Sequence, residues 1–315
     1  MPNKIRAIWA HAAYQELKRR KLNASVALDQ AGLSQLAIAD RERWIPFDKE
    51  VLFFEAAAEL SGDDCFGLHL APTIELKTAG LIAYIGLAAK TLDDAIRNLI
   101  HYQHVHNVAM DGELIEDGSH VRLRDTYFQV DLHRYKQREE LDASLALHAT
   151  RWLTQKDISL VEVRFVHTRD KHRDEVERVL GCPVRYGQEY YEIVFHRDDL
   201  SLPIPTADKE LLRVLTKNAD LVLEERAANG DAFLDLVSER IVDQLSSGRV
   251  TAKKIASDFG TSQRTISRRL AEHGTSFDEL IDDIRKQLAM RYLDEGGIRL
   301  QELAFLLGFS SHASF

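Results

Sequence analysis

The chain has 315 residues, of which 45% are hydrophobic and 29% are charged, and its formal net charge is −9. This composition excludes a wholly disordered or fibrous protein, and the length favours two domains that each bury a core. Because an acidic chain as a whole is repelled by a polyanion, any surface that binds nucleic acid must be a local basic patch.

Residues 1–205 show a mixed pattern of helices and strands. Apolar residues recur at helical spacing in five segments, residues 6–20, 49–60, 91–105, 139–153 and 169–180. Residues 112–128 predict a β-hairpin that turns at Asp117-Gly118, and residues 159–167 and 190–196 alternate like strands. Because the strands cluster and do not alternate strictly with helices, we predict an α+β fold for this part of the chain.

Pro203 and Pro205 mark the main boundary between the parts of the chain, because proline restricts the backbone and lacks an N–H donor. The predicted parts are a regulatory domain (1–205), a linker helix (206–230) and an all-α domain (231–315). Apolar residues of the linker recur at helical spacing: Leu211, Leu212, Leu215, Ala219, Val222 and Leu223. We interpret this stripe as packing between domains, with a homodimer contact as the alternative.

Every segment after this boundary has a helical pattern. Residues 232–245 place four apolar side chains on one face, and residues 277–293 do the same on another. The first set is Phe233, Val237, Ile241 and Leu245, and the second is Phe277, Leu280, Ile281, Ile284, Leu288 and Tyr292.

Residues 251–270 predict a helix-turn-helix unit. Thr251 is expected to cap the first helix, Gly260 to allow a sharp turn, and Ser262 to cap the second helix. Five apolar residues are expected to hold the two helices together, and the smallest of them allows a close crossing: Ile255, Ala256, Phe259, Ile266 and Leu270. The alternative is an ordinary helical hairpin with a solvated basic face.

The outward face of the second helix carries the side chains that we predict to read DNA. They are Gln263, Arg264, Ser267 and Arg268, with Arg269 flanking them. Arginine is the commonest reader of guanine in the major groove. Lys253, Lys254 and Arg269 are expected to lie nearer the phosphates, so the sequence predicts double-stranded promoter DNA as a partner.

Residues 300–315 repeat this plan. Leu303, Ala304 and Leu307 correspond to the apolar residues of the first unit, and Gly308 corresponds to its turn glycine. A second reading helix is expected to begin at Ser310 or Ser311 and to carry His312 and Ser314 outward. The helix predicted at 277–293 lies between the two units and would hold their reading helices about one turn of DNA apart, ~34 Å.

Residues 233–315 resemble the DNA-binding domain of the AraC/XylS family of transcription regulators. The motifs that carry the resemblance are Ile255-Ala256, 262–270, 274–277, 285–293 and 304–309. The resemblance implies that the first reading helix contacts bases through Arg264, Ser267 and Arg268, and the second through His312 and Ser314. It also implies RNA polymerase as a partner. The family continues past the position of Phe315, so a truncated second unit is expected.

Residues 5–208 resemble the "arabinose-binding" type of effector domain. The motifs are 60–70, 78–84, 91–95, 181–187 and 198–205. The resemblance implies a sensor of a small molecule, whether an amino acid, a fatty acid or another metabolite. The sequence identifies neither the effector nor the residues that bind it. We expect its site between the sheet and the helices predicted at 76–87 and 91–105.

The alternative function is a small-molecule enzyme or metal sensor with an accessory DNA-binding domain. His101 and His104 share a helix face and would need a third ligand to hold a metal. His167, Arg169, Lys171 and His172 are interpreted as solvated charge and not as an anion site. Because no hydrolase, phosphate-loop or zinc-protease motif is present, we expect a regulator that is not an enzyme and has no cofactor or metal.

Location is predicted from what the sequence lacks. No run approaches the roughly 18 apolar residues of a membrane span, and residues 1–14 lack the apolar core of a secretory signal. Cys65 and Cys182 are too few for a disulfide framework or a four-thiolate zinc site. We therefore expect a cytoplasmic protein with no membrane partner.

Overall fold

The computed structural model describes residues 3–128, 130–228, 232–245, 250–295 and 300–309. These residues fall into two units that separate between residues 227 and 228. The N-terminal unit combines helices with two sheets, whereas the described residues of the C-terminal unit form helices and turns without a strand. The predicted order, a sheet-containing N-terminal part followed by a helical C-terminal part, is confirmed.

The elements of the N-terminal unit follow one another as β1 (Lys4–Arg6), α1 (Ile8–Arg19), α2 (Ala24–Ala31), α3 (Gln35–Ala39), β2 (Trp44–Pro46), α4 (Phe47–Ser61), α5 (Phe66–Leu70), α6 (Leu81–Ala88), α7 (Leu92–Tyr102), β3 (Met110–Asp117), β4 (His120–Tyr127), α8 (Gln137–Thr154), β5 (Glu162–Arg164), α9 (Arg173–Leu180), β6 (Val184–Arg185), β7 (Tyr191–His196), α10 (Arg197–Leu200) and α11 (Lys209–Ala228). Those of the C-terminal unit are α12 (Ala232–Leu245), α13 (Ala252–Asp258), α14 (Gln263–Glu272), α15 (Phe277–Glu295) and α16 (Leu300–Leu306). Four of the five predicted N-terminal helices are confirmed to within a few residues. The fifth begins later than predicted, at Arg173.

Five strands form one mixed sheet in the order β3-β4-β7-β5-β6. All neighbours are antiparallel except β5 and β6. In the β3–β4 hairpin Asp117 pairs with His120, so the turn residues are Gly118 and Ser119 and the predicted turn at Asp117-Gly118 is wrong by one residue. Gly118 has a φ of +61°, which glycine adopts without the steric cost of a Cβ.

Helix α11 packs against the α6–α7 region within the N-terminal unit. Its apolar stripe is the predicted one except for Leu211, which is exposed. Leu212, Leu215, Ala219, Val222 and Leu223 cover a small cluster formed by Ile82, Ile85, Tyr102 and Val105 of the α6–α7 region. Tyr102 Oη also donates to Asp220 Oδ1 at 3.1 Å. The predicted stripe therefore joins the linker helix to α6 and α7.

A buried ionic cluster ties α8 to the loop before α9. His167 lies between Glu139 and Glu140, with Nδ1 2.7 Å from one carboxylate and Nε2 3.2 Å from the other. The guanidinium of Arg169 donates through Nε to Glu140 at 2.7 Å and through Nη1 to Asp64 at 2.7 Å. The interpretation of His167 and Arg169 as solvated charge is wrong, since both side chains are buried.

Candidate DNA-binding surface and N-terminal cavity

Helices α13 and α14 form the predicted helix-turn-helix unit. Thr251 Oγ1 accepts a hydrogen bond from the backbone N–H of Lys254 at 3.2 Å and caps α13. Ser262 Oγ accepts from the N–H of Thr265 at 3.1 Å and caps α14. Gly260 has a φ of +62° in the turn between the helices. Both predicted caps and the glycine turn are confirmed.

One face of α14 is buried and the other is exposed. The apolar residues predicted to hold the two helices together are all buried: Ile255, Ala256, Phe259, Ile266 and Leu270. The opposite face of α14 exposes Gln263, Arg264, Ser267 and Arg268, and α13 exposes Lys253 and Lys254. The side chains predicted to meet bases and phosphates are thus accessible, with one exception.

That exception is Arg269. Its side chain is 4% exposed, and its guanidinium carbon lies 3.9 Å from the centroid of the Phe233 ring on α12. The prediction that Arg269 flanks the reading face near phosphates is corrected, because the residue points into the unit and joins α14 to α12. Adjacent positions on a helix lie about 100° apart, so Arg268 stays outside while Arg269 turns inward.

Replacing Arg269 with alanine is expected to lower the free energy of unfolding of the C-terminal unit by about 2 kcal/mol, the contribution of a desolvated cation–π pair. Hydrogen exchange of peptides from residues 251–272 measures this. Arg268→Ala, at an exposed neighbouring position, is the control and should leave exchange unchanged. Equal exchange in the two variants would show that the Phe233 contact does not stabilise the unit.

The helix-turn-helix unit is basic on an acidic chain. Residues 251–272 contain five Lys and Arg and two Asp and Glu, a net charge of +3, whereas the whole chain carries −9. Arg268 Nε lies 3.9 Å from the carboxylate of Glu272, and this exposed pair is weak. Without the buried Arg269, the exposed side chains of residues 251–272 still carry four positive and two negative charges, so the predicted local basic patch is present.

Helix α16 and the turn after it repeat the geometry of α13. Leu303, Ala304 and Leu307 are buried, and Gly308 has a φ of +76°. The N–H of Phe309 donates to the carbonyl of Ala304 at 3.0 Å, as the N–H of Thr261 does to Ala256 at 2.8 Å. The predicted reading residues of this segment, His312 and Ser314, lie outside the described residues.

The N-terminal unit contains a cavity of about 200 Å³. It lies between the sheet, α8 and the helices α6 and α7, the region in which we expected the effector site. Most of its wall is apolar, with contributions from each of these elements: Ile82, Ile96, Leu99, Leu145, Trp152 and Phe195. The cavity has a distinct polar end, formed by His106, Asn107, Asp125, Arg138 and Asp142.

Arg138 organises the polar end of this cavity. Its side chain is 2% exposed, with Nη2 3.1 Å from Asp142 and Nε 3.7 Å from the fully buried Glu50. Tyr127 Oη donates to Asp142 from the other side. Burial raises the pKa of Glu50 to about 7, against the opposing effect of Arg138. Asp142 is held as the principal counter-ion of the guanidinium.

Sequence reasoning did not find this polar end. Glu50 lies on α4, Asp125 on β4, and Arg138 and Asp142 on α8. Only the last two are close in sequence, at i and i+4 on one helix, and such a pair is usually an exposed surface ion pair. No local signal distinguishes a buried pair from an exposed one.

Comparison with known proteins decides the family. Residues 22–204 match the model of the arabinose-binding domain of AraC transcription regulators, and residues 255–315 match a helix-turn-helix domain model. The first match alone covers more than half of the chain. The chain belongs to the AraC family of transcription regulators. This AraC-family protein therefore pairs an arabinose-binding-type N-terminal domain with a DNA-binding helix-turn-helix domain, as the resemblance implied.

Relatives of this AraC-family chain are regulators too. It is 30% identical over 265 residues to the HTH-type transcriptional regulator VirS of Mycobacterium tuberculosis, a match that covers 82% of this chain and 76% of the relative. It is 25% identical over 263 residues to the ornithine utilization regulator of Pseudomonas aeruginosa, with the same coverage. A solved structure, the transcriptional regulator CdpR of Pseudomonas aeruginosa, is 21% identical with a TM-score of 0.43, covering 79% of this chain and 80% of that one.

The metal-sensor alternative depends on a third ligand near His101 and His104. Within the described residues, no group of three or more His, Cys, Asp or Glu side chains is arranged to hold a metal ion. His101 packs edge-on against Tyr102, and His104 Nε2 lies 3.2 Å from the carbonyl oxygen of Met110. No helix in the described part of the chain is long and apolar enough to cross a membrane.

Proposed function

We propose that this AraC-family regulator reads promoter DNA through Gln263, Arg264, Ser267 and Arg268 on α14, and that a small molecule in the N-terminal cavity controls it. The proposal that α14 reads DNA depends on one observation: these four side chains are exposed on one face of a helix whose opposite face is buried. A helix of this kind enters the major groove, where arginine and glutamine recognise base edges.

Lys253 and Lys254 contact the phosphate backbone in this proposal. Both are exposed at the start of α13, the helix that crosses the backbone in a helix-turn-helix complex. Contacts of this kind fix the register of the protein on DNA but carry no sequence information.

Binding to DNA from the upstream region of the gene tests the proposal. Wild type is expected to prefer this DNA over a scrambled duplex, with an affinity that falls steeply with salt. Changing Lys253 and Lys254 to alanine should weaken binding to both duplexes by the same factor. It should also reduce the slope of log affinity against log salt concentration by about 1.8, since each phosphate contact contributes about 0.9. Lys286→Ala on α15 is the control. An unchanged slope in the double variant would remove these lysines from the interface.

A second helix-turn-helix unit is part of the proposal. The turn geometry of α16 matches that of α13, and Arg285 of α15 supports it. Arg285 Nε donates to the carbonyl of Leu307 at 3.0 Å, and its guanidinium lies 4.5 Å from the ring of Phe309. We therefore propose that α15 separates two reading helices, the second with His312 and Ser314, and that they enter successive major grooves.

The contact between α11 and the α6–α7 region supports effector control. Residues of α6 and α7 line the cavity, while Ile82, Ile85 and Tyr102 of the same helices pack against α11. A ligand acts only through a difference in affinity between two arrangements. We propose that occupancy of the cavity shifts α6 and α7, and that α11 passes this shift to the chain that leads to α12.

We also propose that the protein is a homodimer, joined through α11. The face of α11 turned away from the α6–α7 cluster exposes Leu211, Val214, Asn218 and Leu221. These positions follow the a and d spacing of a heptad, and a single Asn at an a position sets the register and oligomeric state of coiled coils. RNA polymerase is the proposed partner of the DNA-bound dimer, and no catalytic role is proposed.

Introducing charge into this exposed face of α11 tests the proposed dimer. Changing Val214 and Leu221 to glutamate is expected to shift the mass measured by light scattering from dimer to monomer, because like charges would face each other in the seam. Arg213→Glu, at an exposed c position outside this face, is the control. A monomeric wild type, or a double variant that remains dimeric, would contradict this interface.

A further inference from the structure

Buried hydrogen-bond donors at the polar end of the cavity indicate what it binds. Among the described residues, Nη1 of Arg138 and Nδ2 of Asn107 have no hydrogen-bond partner, whereas Nε of Arg138 faces the carboxylate of Glu50 at 3.7 Å. The side chains of Arg138 and Asn107 are 2% and 0% exposed, and both residues line the cavity. Buried donors are nearly always paired, and an unpaired one costs about 1–3 kcal/mol. The cavity therefore favours a group that accepts hydrogen bonds.

Charge balance decides whether this group is ionised. The guanidinium of Arg138 already has Asp142 at 3.1 Å and Glu50 at 3.7 Å. At pH 7 a carboxylate headgroup would be repelled by Asp142 and by the ionised fraction of Glu50, and an ammonium group would be repelled by Arg138. Burying a charge without a counter-ion is costly, so the pair that is present disfavours a charged headgroup.

Asp125 adds a further donor at neutral pH. It faces Asp142 of α8, Asp111 of β3 and Arg138. Burial and the two neighbouring carboxylates raise the pKa of Asp125 to about 8, so it keeps its proton at pH 7. The nearby imidazole of His106 is uncharged there, since burial, Arg138 and Arg6 lower its pKa to about 4.

We infer that the cavity binds a small apolar molecule whose polar end is an uncharged acceptor, such as a ketone, an ester or a lactone. Its carbonyl oxygen would accept from Arg138, Asn107 and Asp125, and its hydrocarbon part would contact the apolar wall. A cavity of about 150 Å³ holds benzene, so about 200 Å³ suits a ring of that size with a carbonyl group. The inference rests on the proposed role of the cavity as the effector site.

A matched series of six-membered rings tests the headgroup. Cyclohexanone, cyclohexanecarboxylate, cyclohexylamine and cyclohexane are titrated into the full chain at pH 7, with binding followed by ligand-observed NMR. Cyclohexanone is expected to bind at least about ten-fold more tightly than each of the others, as one net hydrogen bond predicts. Tighter binding of the acid or the amine, or equal binding of the hydrocarbon, would overturn the inference. Ala149→Phe, which fills the cavity from α8, should abolish binding.

The pH profile tests the role of Asp125. Wild type should lose affinity for cyclohexanone above about pH 8, when Asp125 ionises and stops donating. Asp125→Asn keeps a donor and should bind with a flat profile. Because the pKa of Asp125 is raised on folding, its burial costs stability increasingly from about pH 4 to pH 8. The variant should therefore fold at least as stably as wild type at pH 9. A flat wild-type profile would remove Asp125 from the site.

Operator binding measured on the same samples separates this inference from the proposed function. If cyclohexanone binds as expected but leaves the DNA affinity unchanged at saturation, the headgroup assignment holds and the effector role of the cavity fails. If no ring binds while wild type still recognises its DNA, the headgroup assignment fails and the reading function of α14 stands.

Discussion

Changing Arg264 and Arg268 together to alanine is expected to abolish the preference of this regulator for its own promoter DNA. Each arginine that reads a base contributes about 1–3 kcal/mol of discrimination, so losing both should weaken specific binding by at least about thirty-fold. Binding to a scrambled duplex should change far less, because Lys253 and Lys254 remain. Fluorescence anisotropy with the two duplexes measures the difference.

The stability of this double variant distinguishes a lost contact from a lost fold. Arg264 and Arg268 are both exposed on α14, so hydrogen exchange of residues 251–272 should match that of wild type. Arg269→Ala provides the contrast, since it is expected to raise exchange there. If the double variant binds promoter DNA as wild type does, α14 is not the reading helix. The residue assignments are then wrong, although the family assignment stands.

Changing Arg169 to leucine is expected to lower the free energy of unfolding of the N-terminal unit by about 3–5 kcal/mol, the usual cost of removing one partner from a buried ion pair. Glu140 is fully buried and accepts from Arg169 at 2.7 Å. Without the guanidinium, Glu140 retains His167 Nε2 as a neighbour at 3.2 Å. Asp64 also loses a charged donor, although Lys136 still pairs with it.

Urea unfolding followed by tryptophan fluorescence measures this effect without interference from the C-terminal unit. All three tryptophans, Trp9, Trp44 and Trp152, belong to the N-terminal unit. Adding Glu140→Gln to Arg169→Leu should restore part of the stability, because the unpaired charge is then removed. Arg178→Ala, which breaks an exposed pair with Glu175, should leave the midpoint unchanged. An equal unfolding midpoint for Arg169→Leu and Arg178→Ala would show that the buried Arg169–Glu140 pair does not stabilise the N-terminal unit.

The DNA-binding unit was predictable because its signals are local. Two caps, one glycine turn and five apolar positions fall within twenty residues, and each acts through the backbone or through the spacing of a single helix. The helical spacing of α11 was predictable in the same way. The residues against which α11 packs were not predictable. The sequence shows an apolar stripe but does not show that the stripe contacts Ile82, Ile85 and Tyr102.

Local sequence patterns were enough to predict the family, the order of the two parts and the exposed basic face of α14. Tertiary structure alone decided which charges are buried. Arg269 turns inward because α12 brings Phe233 to it, and Arg169 reaches Glu140 across 29 residues of chain. Arg138, Glu50 and Asp125 meet at one end of a cavity for the same reason. Burial and charge pairing depend on neighbours distant in sequence, and no local pattern encodes those neighbours.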